Sequence, residues 1–139
     1  MNSVGLCVPT LNAGALWHEW LTRITPAAIG FRTLVVDSSS DDGTAEAARQ
    51  AGFETLEISR EAFNHGGTRQ RALHHLSDCD IVVFLTQDAL VADPEALTRL
   101  VSVFEDPEVG AAFGRQLPHR DATPIAAHAR LFNYPTASR

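Results

Sequence analysis

The sequence has no lysine: all 11 of its basic residues are arginines. That removes every chemistry that needs an ammonium group, including a Walker phosphate-loop lysine, a Schiff-base lysine and the lysine of a response regulator. Basic residues are also outnumbered, 11 against 17 acidic ones, for a formal charge of -6. Tracking a nucleic-acid backbone takes a basic stripe that releases counterions, so no nucleic-acid partner is expected. An anionic ligand would have to be held by local arginines, backbone N–H groups or a metal. The central apolar run, Ile81 to Leu85, falls far short of the roughly 20 residues that span a bilayer, so no transmembrane segment is expected. The opening residues, Met1 to Leu6, lack the basic and long apolar regions of an export signal, which makes a cytoplasmic location the default expectation. The two cysteines, Cys7 and Cys79, have no Cys-x-x-Cys spacing and read as buried reduced thiols.

What is present is ordinary for a folded domain. With 139 residues, 45% apolar and 20% charged, the chain predicts one soluble globule with a single core. Short apolar runs alternate with helix-patterned segments, the signature of βαβ units around a mostly parallel sheet. The pattern predicts strands over 4–8, 32–36, 53–58, 81–85 and 109–113, with 81–85, apolar throughout, expected at the sheet's centre. Helices are expected over 15–24, 44–51, 68–76, 93–104 and 124–132, with Asp42 as N-cap of the second. The fold class is therefore α/β, a parallel sheet flanked by helices in a Rossmann-like arrangement.

In such sheets ligands bind outside the carboxyl ends of the strands. The polar clusters Pro9-Thr10-Leu11-Asn12, Asp37 to Gly43, Asn64 to Arg71 and Thr86-Gln87-Asp88 all fall at that edge. Asp37 ends a strand, where a carboxylate can accept from a nucleobase N–H or a ribose hydroxyl, or can simply organise a turn. Asp41 and Asp42 fit caps and turns. Asn64-His65-Gly66-Gly67-Thr68-Arg69 joins glycines, a helix start and a cation, a combination suited to phosphate, and His65 can face a ligand or bond its own loop. Asp88, with Gln87 beside it, can hold Mg²⁺ or Mn²⁺ through one carboxylate if phosphate oxygens and waters complete the shell, or can be a turn residue. His74 and His75 point in different directions on a helix and do not suit a shared metal.

Three of these stretches, Val8-Pro9-Thr10-Leu11-Asn12, Val35 to Thr44 and Phe84-Leu85-Thr86-Gln87-Asp88-Ala89, resemble the nucleotide-sugar half of family 2 glycosyltransferases with the GT-A fold. Phe63 to Arg69, Gly114 to His119 and Ala129 to Pro135 are similar to a rhamnosyltransferase-like branch, and the resemblance covers essentially the whole chain. It implies an inverting glycosyltransferase acting on a nucleoside-diphosphate sugar, with dTDP-rhamnose as donor, a glycan hydroxyl as acceptor and surface polysaccharide as product. It further implies that Pro9, Thr10, Asn12, Asp37, Arg69 and Gln87 bind the nucleotide and that Asp88 is the last carboxylate of a divalent-metal motif. Where the family has Asp-x-Asp this sequence has Thr86-Gln87-Asp88, leaving no carboxylate at the first position.

Family members continue into an acceptor-binding half that supplies the general base, whereas this sequence ends at Arg139. Asp93, Glu95, Glu105, Asp106, Glu108 and Asp121 fit caps or solvated faces better than a base. Residues 1–139 thus read as the donor-binding part of a truncated domain, binding nucleotide without transferring sugar alone, peripheral to the inner membrane in full-length form. Self-association through exposed apolar surface is a further expectation. The main alternative is a non-catalytic nucleotide-binding or assembly module. A dinucleotide-dependent oxidoreductase ranks lower because Pro9 to Gly14 replaces Gly-x-Gly-x-x-Gly, and a receiver domain lacks its lysine.

Overall fold

A computed structural model describes residues 2–137. The elements run β1 (Val4–Thr10), α1 (Leu16–Ala27), β2 (Arg32–Asp37), α2 (Thr44–Gln50), β3 (Glu54–Glu57), α3 (His65–His75), β4 (Ile81–Phe84), α4 (Ala96–Ser102) and α5 (Pro124–Asn133), with short 3-10 turns at Arg60–Ala62 and Val103–Glu105. They divide into one compact unit over Met1–Val101 and another over Ser102–Arg139. Met1, Ser138 and Arg139, the start and end of the sequence discussed above, lie outside the described residues.

The sheet is parallel throughout, in the order β3-β2-β1-β4. Its strands alternate faithfully. Val4, Leu6, Val8, Val35 and Val83 join the cluster that α1 fills with Trp17, Trp20, Leu21 and Ile24. On the opposite face Cys7, Leu34 and Val36 pack with Ala72 of α3 and with Leu76 and Ile58. Both faces are thereby covered, which is what continuous apolar strands require.

Position in the sheet corrects one expectation. The strand at 81–85 is an edge strand beside β1, and β1 and β2 are the central ones. An unbroken apolar run reports that both faces are covered. It does not report how many neighbours the backbone has. Residues 109–113 form no strand, and Phe113 is exposed, resting edge-on against Tyr134. The cap of α2 is Gly43, with φ near 83°, and Asp42 reaches past it to accept from the Thr44 N–H at 3.1 Å. Helix α3 begins three residues before the expected Thr68, because Asn64 caps it by accepting from the Gly67 N–H at 2.6 Å.

Gly5 lies where the sheet meets the end of α3. A β-carbon there would stand 3.1 Å from Leu76 Cδ1 and 3.2 Å from Cys79 Sγ. Overfilling a close-packed layer costs about 1–3 kcal/mol. Gly5→Ala should therefore lower the unfolding free energy read from urea denaturation by an amount in that range, without changing the circular dichroism spectrum of the folded chain.

The second unit is built around α5. Thr123 caps it by accepting from the Ala126 N–H at 3.3 Å, and Pro124 occupies the first turn, where its missing N–H costs nothing. Arg115 Nε donates to the Tyr134 carbonyl at 3.0 Å. Ile125 and Phe132, one above the other on the helix, are exposed.

Candidate nucleotide-binding site

The order of strands reverses between β1 and β4, since β2 and β3 extend to one side of β1 and β4 to the other. At such a switch point the loops leave in opposite directions and open a crevice at the carboxyl edge. A cavity of about 260 Å³ lies there, walled by Pro9, Thr10 and Leu11 after β1, Ser38 after β2, Arg60 and Phe63 after β3, His65 and Arg69 of α3, and Thr86 and Gln87 after β4. Segments far apart in sequence thus converge on one rim, as expected.

Strand parity sorts the side chains at this edge between the two faces of the sheet. Thr10 and Asp37 are register partners on the face of α1, whereas Pro9 and Val36 point to the face of α3. Asp37 is 1% exposed and stands behind the wall. Its Oδ1 accepts from the hydroxyls of Thr10 and Ser40, each at 2.7 Å, and its Oδ2 accepts from the Ser40 N–H at 2.8 Å. Asp37 is thus not among the residues that wall the cavity, and both of its carboxylate oxygens are engaged by the loop it organises. Asn12 is likewise not on the wall. Its Oδ1 accepts from the Asp41 N–H at 2.9 Å while its own N–H donates to Ser40 Oγ at 2.8 Å. Its φ of 43° is one that asparagine tolerates better than most residues.

The polar loop after β2 is explained by this lacing. Ala13 N–H donates to Thr44 Oγ1, Gly14 N–H to Asp42 Oδ2 and Trp17 Nε1–H to the Thr44 carbonyl, tying the loops after β1 and β2 into one body. The Thr44 hydroxyl, with help from the Gly14 and Thr44 N–H groups, holds the Asp42 carboxyl below its usual range. A carboxylate with a depressed folded pKa contributes stability that is complete above its unfolded pKa and lost as pH falls through the folded value. The acid limb of a stability–pH curve should therefore become shallower in Asp42→Asn below about pH 4, while the two curves stay parallel from about pH 5 upward.

Pro9, Thr10, Arg69 and Gln87 lie on the wall. Gln87 is also a brace across the switch point. Its Oε1 accepts from the Leu11 N–H at 2.9 Å and its Nε2 donates to the Leu11 carbonyl at 3.2 Å. Arg69 Nη1 donates back to the His65 carbonyl at 3.0 Å, one turn away. Its positive field opposes, without cancelling, the burial that pushes the Cys7 thiol up to about 11. Cys7 is accordingly an inert core thiol.

Sequence reasoning did not select Arg60, Phe63 or Ser38. Arg60 donates to the Ser39 carbonyl at 3.1 Å and to Asp41 at 3.0 Å, which holds its guanidinium at the rim. Phe63 meets His65 edge-on with ring centroids 5.1 Å apart, giving the cavity an aromatic side. Parity was the available signal, since Ser38 falls one position beyond Asp37 and so on the side of α3.

Asp88 is exposed just beyond the wall, and its Oδ1 accepts from the Thr86 hydroxyl at 2.6 Å. Among the described residues no group of three or more His, Cys, Asp or Glu side chains converges to hold a metal ion. Asp93 is bound to Arg99 and accepts from the Glu95 N–H, and Asp106 accepts from the Glu108 N–H, so both serve the local roles expected of them.

A profile of the family described as Glycosyl transferase family 2 matches residues 6–138, nearly the entire sequence. The chain belongs to glycosyl transferase family 2. It is 44% identical over 137 residues to the O-antigen chain rhamnosyltransferase RfbN of Salmonella typhimurium and 46% identical over 138 residues to the O-antigen chain rhamnosyltransferase WbaN of Salmonella anatum. These alignments cover 97% and 98% of the chain but 44% of either relative, so the chain spans less than half the length of both. Among solved structures, the mannosyltransferase PcManGT of Pyrobaculum calidifontis, in complex with GDP-Man and Mn²⁺, superposes with a TM-score of 0.67 at 30% identity over 78% of this chain and 34% of that one. Glucosyl-3-phosphoglycerate synthase of Mycobacterium tuberculosis, in complex with Mn²⁺, UDP-Glc and phosphoglyceric acid, gives 0.62 at 27% identity over 77% and 41%. The GT-A architecture expected from the sequence is thus the observed one.

Proposed function

We propose that residues 1–139 form the donor-binding part of an inverting rhamnosyltransferase that takes a deoxysugar from a nucleoside diphosphate, with dTDP-rhamnose as donor, and passes it to a glycan hydroxyl during surface-polysaccharide assembly. The observation that carries this reading is the cavity at the switch point, which offers two guanidinium groups and an aromatic wall along one sheet edge, with the carboxylate of Asp88 bonded to its wall residue Thr86. Arginine suits phosphate and carbonyl oxygens through its fixed fork of donors. The O-antigen rhamnosyltransferases that share more than two-fifths of its residues support the sugar and the product, and the solved neighbours support a nucleotide-sugar donor.

The residues present fit a divalent cation of a particular kind. Asp88 keeps Oδ2 unengaged by the Thr86 bond and open to solvent, and Mg²⁺ and Mn²⁺ are commonly held by one or two carboxylates with substrate phosphates and waters filling the other positions. Asp88 would be the protein ligand, and the bound cation would neutralise charge on the diphosphate leaving group. The chain's own contribution is position and charge: Arg69 and Arg60 over the donor, the Leu11–Gln87 brace fixing the floor, and the laced loops holding Thr10 in place. The acceptor hydroxyl attacks the anomeric carbon from the side opposite the diphosphate, and its proton passes to a carboxylate base. None of the helices among the described residues is long and apolar enough to cross a membrane. The proposed place of work is the cytoplasmic side, at the periphery of the inner membrane.

Isothermal titration of the chain with dTDP, UDP and GDP, with and without Mn²⁺, tests the reading. Saturable binding strengthened by the metal, with dTDP preferred, is the expected result. Preference for NAD, or no nucleotide binding at all, would overturn it.

A further inference from the structure

The backbone polar groups of a strand point alternately to its two neighbours. In β1 the Thr10 carbonyl faces β2 and accepts from the Ser38 N–H at 2.9 Å. Ser3 and Cys7 face β4, their carbonyls accepting from the Ile81 and Leu85 N–H groups at 3.1 and 3.0 Å. Pairing with β2 continues to Thr10 and Asp37, whereas pairing with β4 ends at Cys7 and Phe84. The two strands part there, and the cavity opens with Pro9, Thr10 and Leu11 on one side and Thr86 and Gln87 on the other. The β4-facing series of β1 goes on to Pro9, which has no N–H to leave unpaired, and then to Leu11. Leu11 is met across the gap by a side chain. Gln87 Oε1 accepts from its N–H at 2.9 Å and Gln87 Nε2 donates to its carbonyl at 3.2 Å. A side-chain amide carries the donor and acceptor of a peptide unit, so Gln87 resumes beyond the crevice the ladder that the backbones leave. It is half-buried between two exposed neighbours, Thr86 and Asp88.

Taking the cavity as the nucleotide site, on which this inference rests, we propose that Gln87 is a positioning residue. Its amide is committed to Leu11 and sets the width of the crevice between the loops after β1 and β4, instead of bonding the ligand. Among the described residues, 8–14 and 85–92 share no other hydrogen bond, so this brace alone ties the two loops by that means. A loop that samples several widths binds with an affinity reduced by the fraction of time it holds the right one. The brace keeps that fraction near unity before the ligand arrives.

Gln87→Glu and Gln87→Met in the 139-residue chain test this role by calorimetric titration with dTDP and by hydrogen exchange at the Leu11 amide. Glutamate as a carboxylate still accepts from the Leu11 N–H but turns its other oxygen on the Leu11 carbonyl; protonated, it donates to that carbonyl and remakes the brace. Methionine fills the space and remakes nothing. At about pH 7.5 both variants should bind dTDP about 5- to 30-fold more weakly than the unaltered chain, the worth of one or two net hydrogen bonds. At about pH 4.5, where a glutamate is roughly half protonated, Gln87→Glu should come within about threefold of the unaltered chain at the same pH while Gln87→Met stays weak. Exchange at Leu11 should be at least ~5-fold faster in ligand-free Gln87→Met, and in the unaltered chain no faster with dTDP bound than without it. Unchanged dTDP affinity in Gln87→Met would make the brace structural only. Faster Leu11 exchange on dTDP binding would show the amide leaving Leu11 for the ligand, and failure of Gln87→Glu to recover at low pH would separate the affinity from the brace. Each overturns the proposal. If the unaltered chain binds no nucleotide while Leu11 exchange still depends on Gln87, the reading of the cavity fails first and takes this inference with it.

Discussion

Asp37→Ala should cost about 2–4 kcal/mol of stability and abolish measurable nucleotide binding together. The carboxylate is buried and accepts from the Thr10 hydroxyl, the Ser40 hydroxyl and the Ser40 N–H. Removing it strands all of these donors, and a buried donor left without a partner costs about 1–3 kcal/mol; the relief of no longer burying a charge offsets part of that sum. Asp37→Asn is the more informative variant. With its amide oxygen on the Ser40 N–H, its NH₂ faces two hydroxyls that must then accept, and Ser40 Oγ already accepts from the Asn12 N–H. A loss of about 1–2 kcal/mol follows, with a parallel drop in affinity as Thr10 and the loop after β1 shift. Urea denaturation and calorimetric titration of both variants check the coupling. If Asp37 instead touched the nucleoside directly, Asp37→Asn would lose affinity at unchanged stability, and Ser40→Ala would not reproduce part of the effect as it should here.

This dependence shows where sequence reasoning reached and where it stopped. Strand periodicity was legible because both faces of the sheet are covered, so that Val4 to Val8 and Leu34 to Val36 read as continuous apolar runs. The convergence of polar segments at one edge followed from parallel topology alone. What sequence could not supply was which polar side chains serve the protein and which face the cavity. Thr10, Ser40 and Leu11, which bond Asp37, Asn12 and Gln87 in turn, lie 27, 28 and 76 residues from them. No local pattern encodes them. Turn-forming residues also look alike whether they lace loops, as Asp42 and Ser40 do, or stand on a wall, as Ser38 does. Arg60 was hidden because a one-turn 3-10 element leaves no periodicity to read.

The acidic rim yields the other large effect. In the unaltered chain Mn²⁺ should strengthen binding of dTDP and UDP at least ~10-fold, about 1.4 kcal/mol, and Asp88→Asn should erase that enhancement while leaving metal-free affinity within twofold. Asn keeps the shape and can still accept the Thr86 hydroxyl through its amide oxygen, as Oδ1 does at 2.6 Å. It loses the negative charge and puts an NH₂, which cannot ligate a hard cation, where the second oxygen stood. Because Asp88 is exposed, stability should move by no more than ~0.5 kcal/mol, which separates this variant from Asp37→Asn. Thr86→Val supplies the converse: freed of its hydroxyl donor, Asp88 keeps both oxygens for a cation, so the Mn²⁺ enhancement should survive. Titrations at matched ionic strength with Mn²⁺, Mg²⁺ and no divalent ion read all of these outcomes. Should the enhancement persist in Asp88→Asn, the cation is held by phosphate oxygens and groups outside this edge, and the single-carboxylate rim has no part in it.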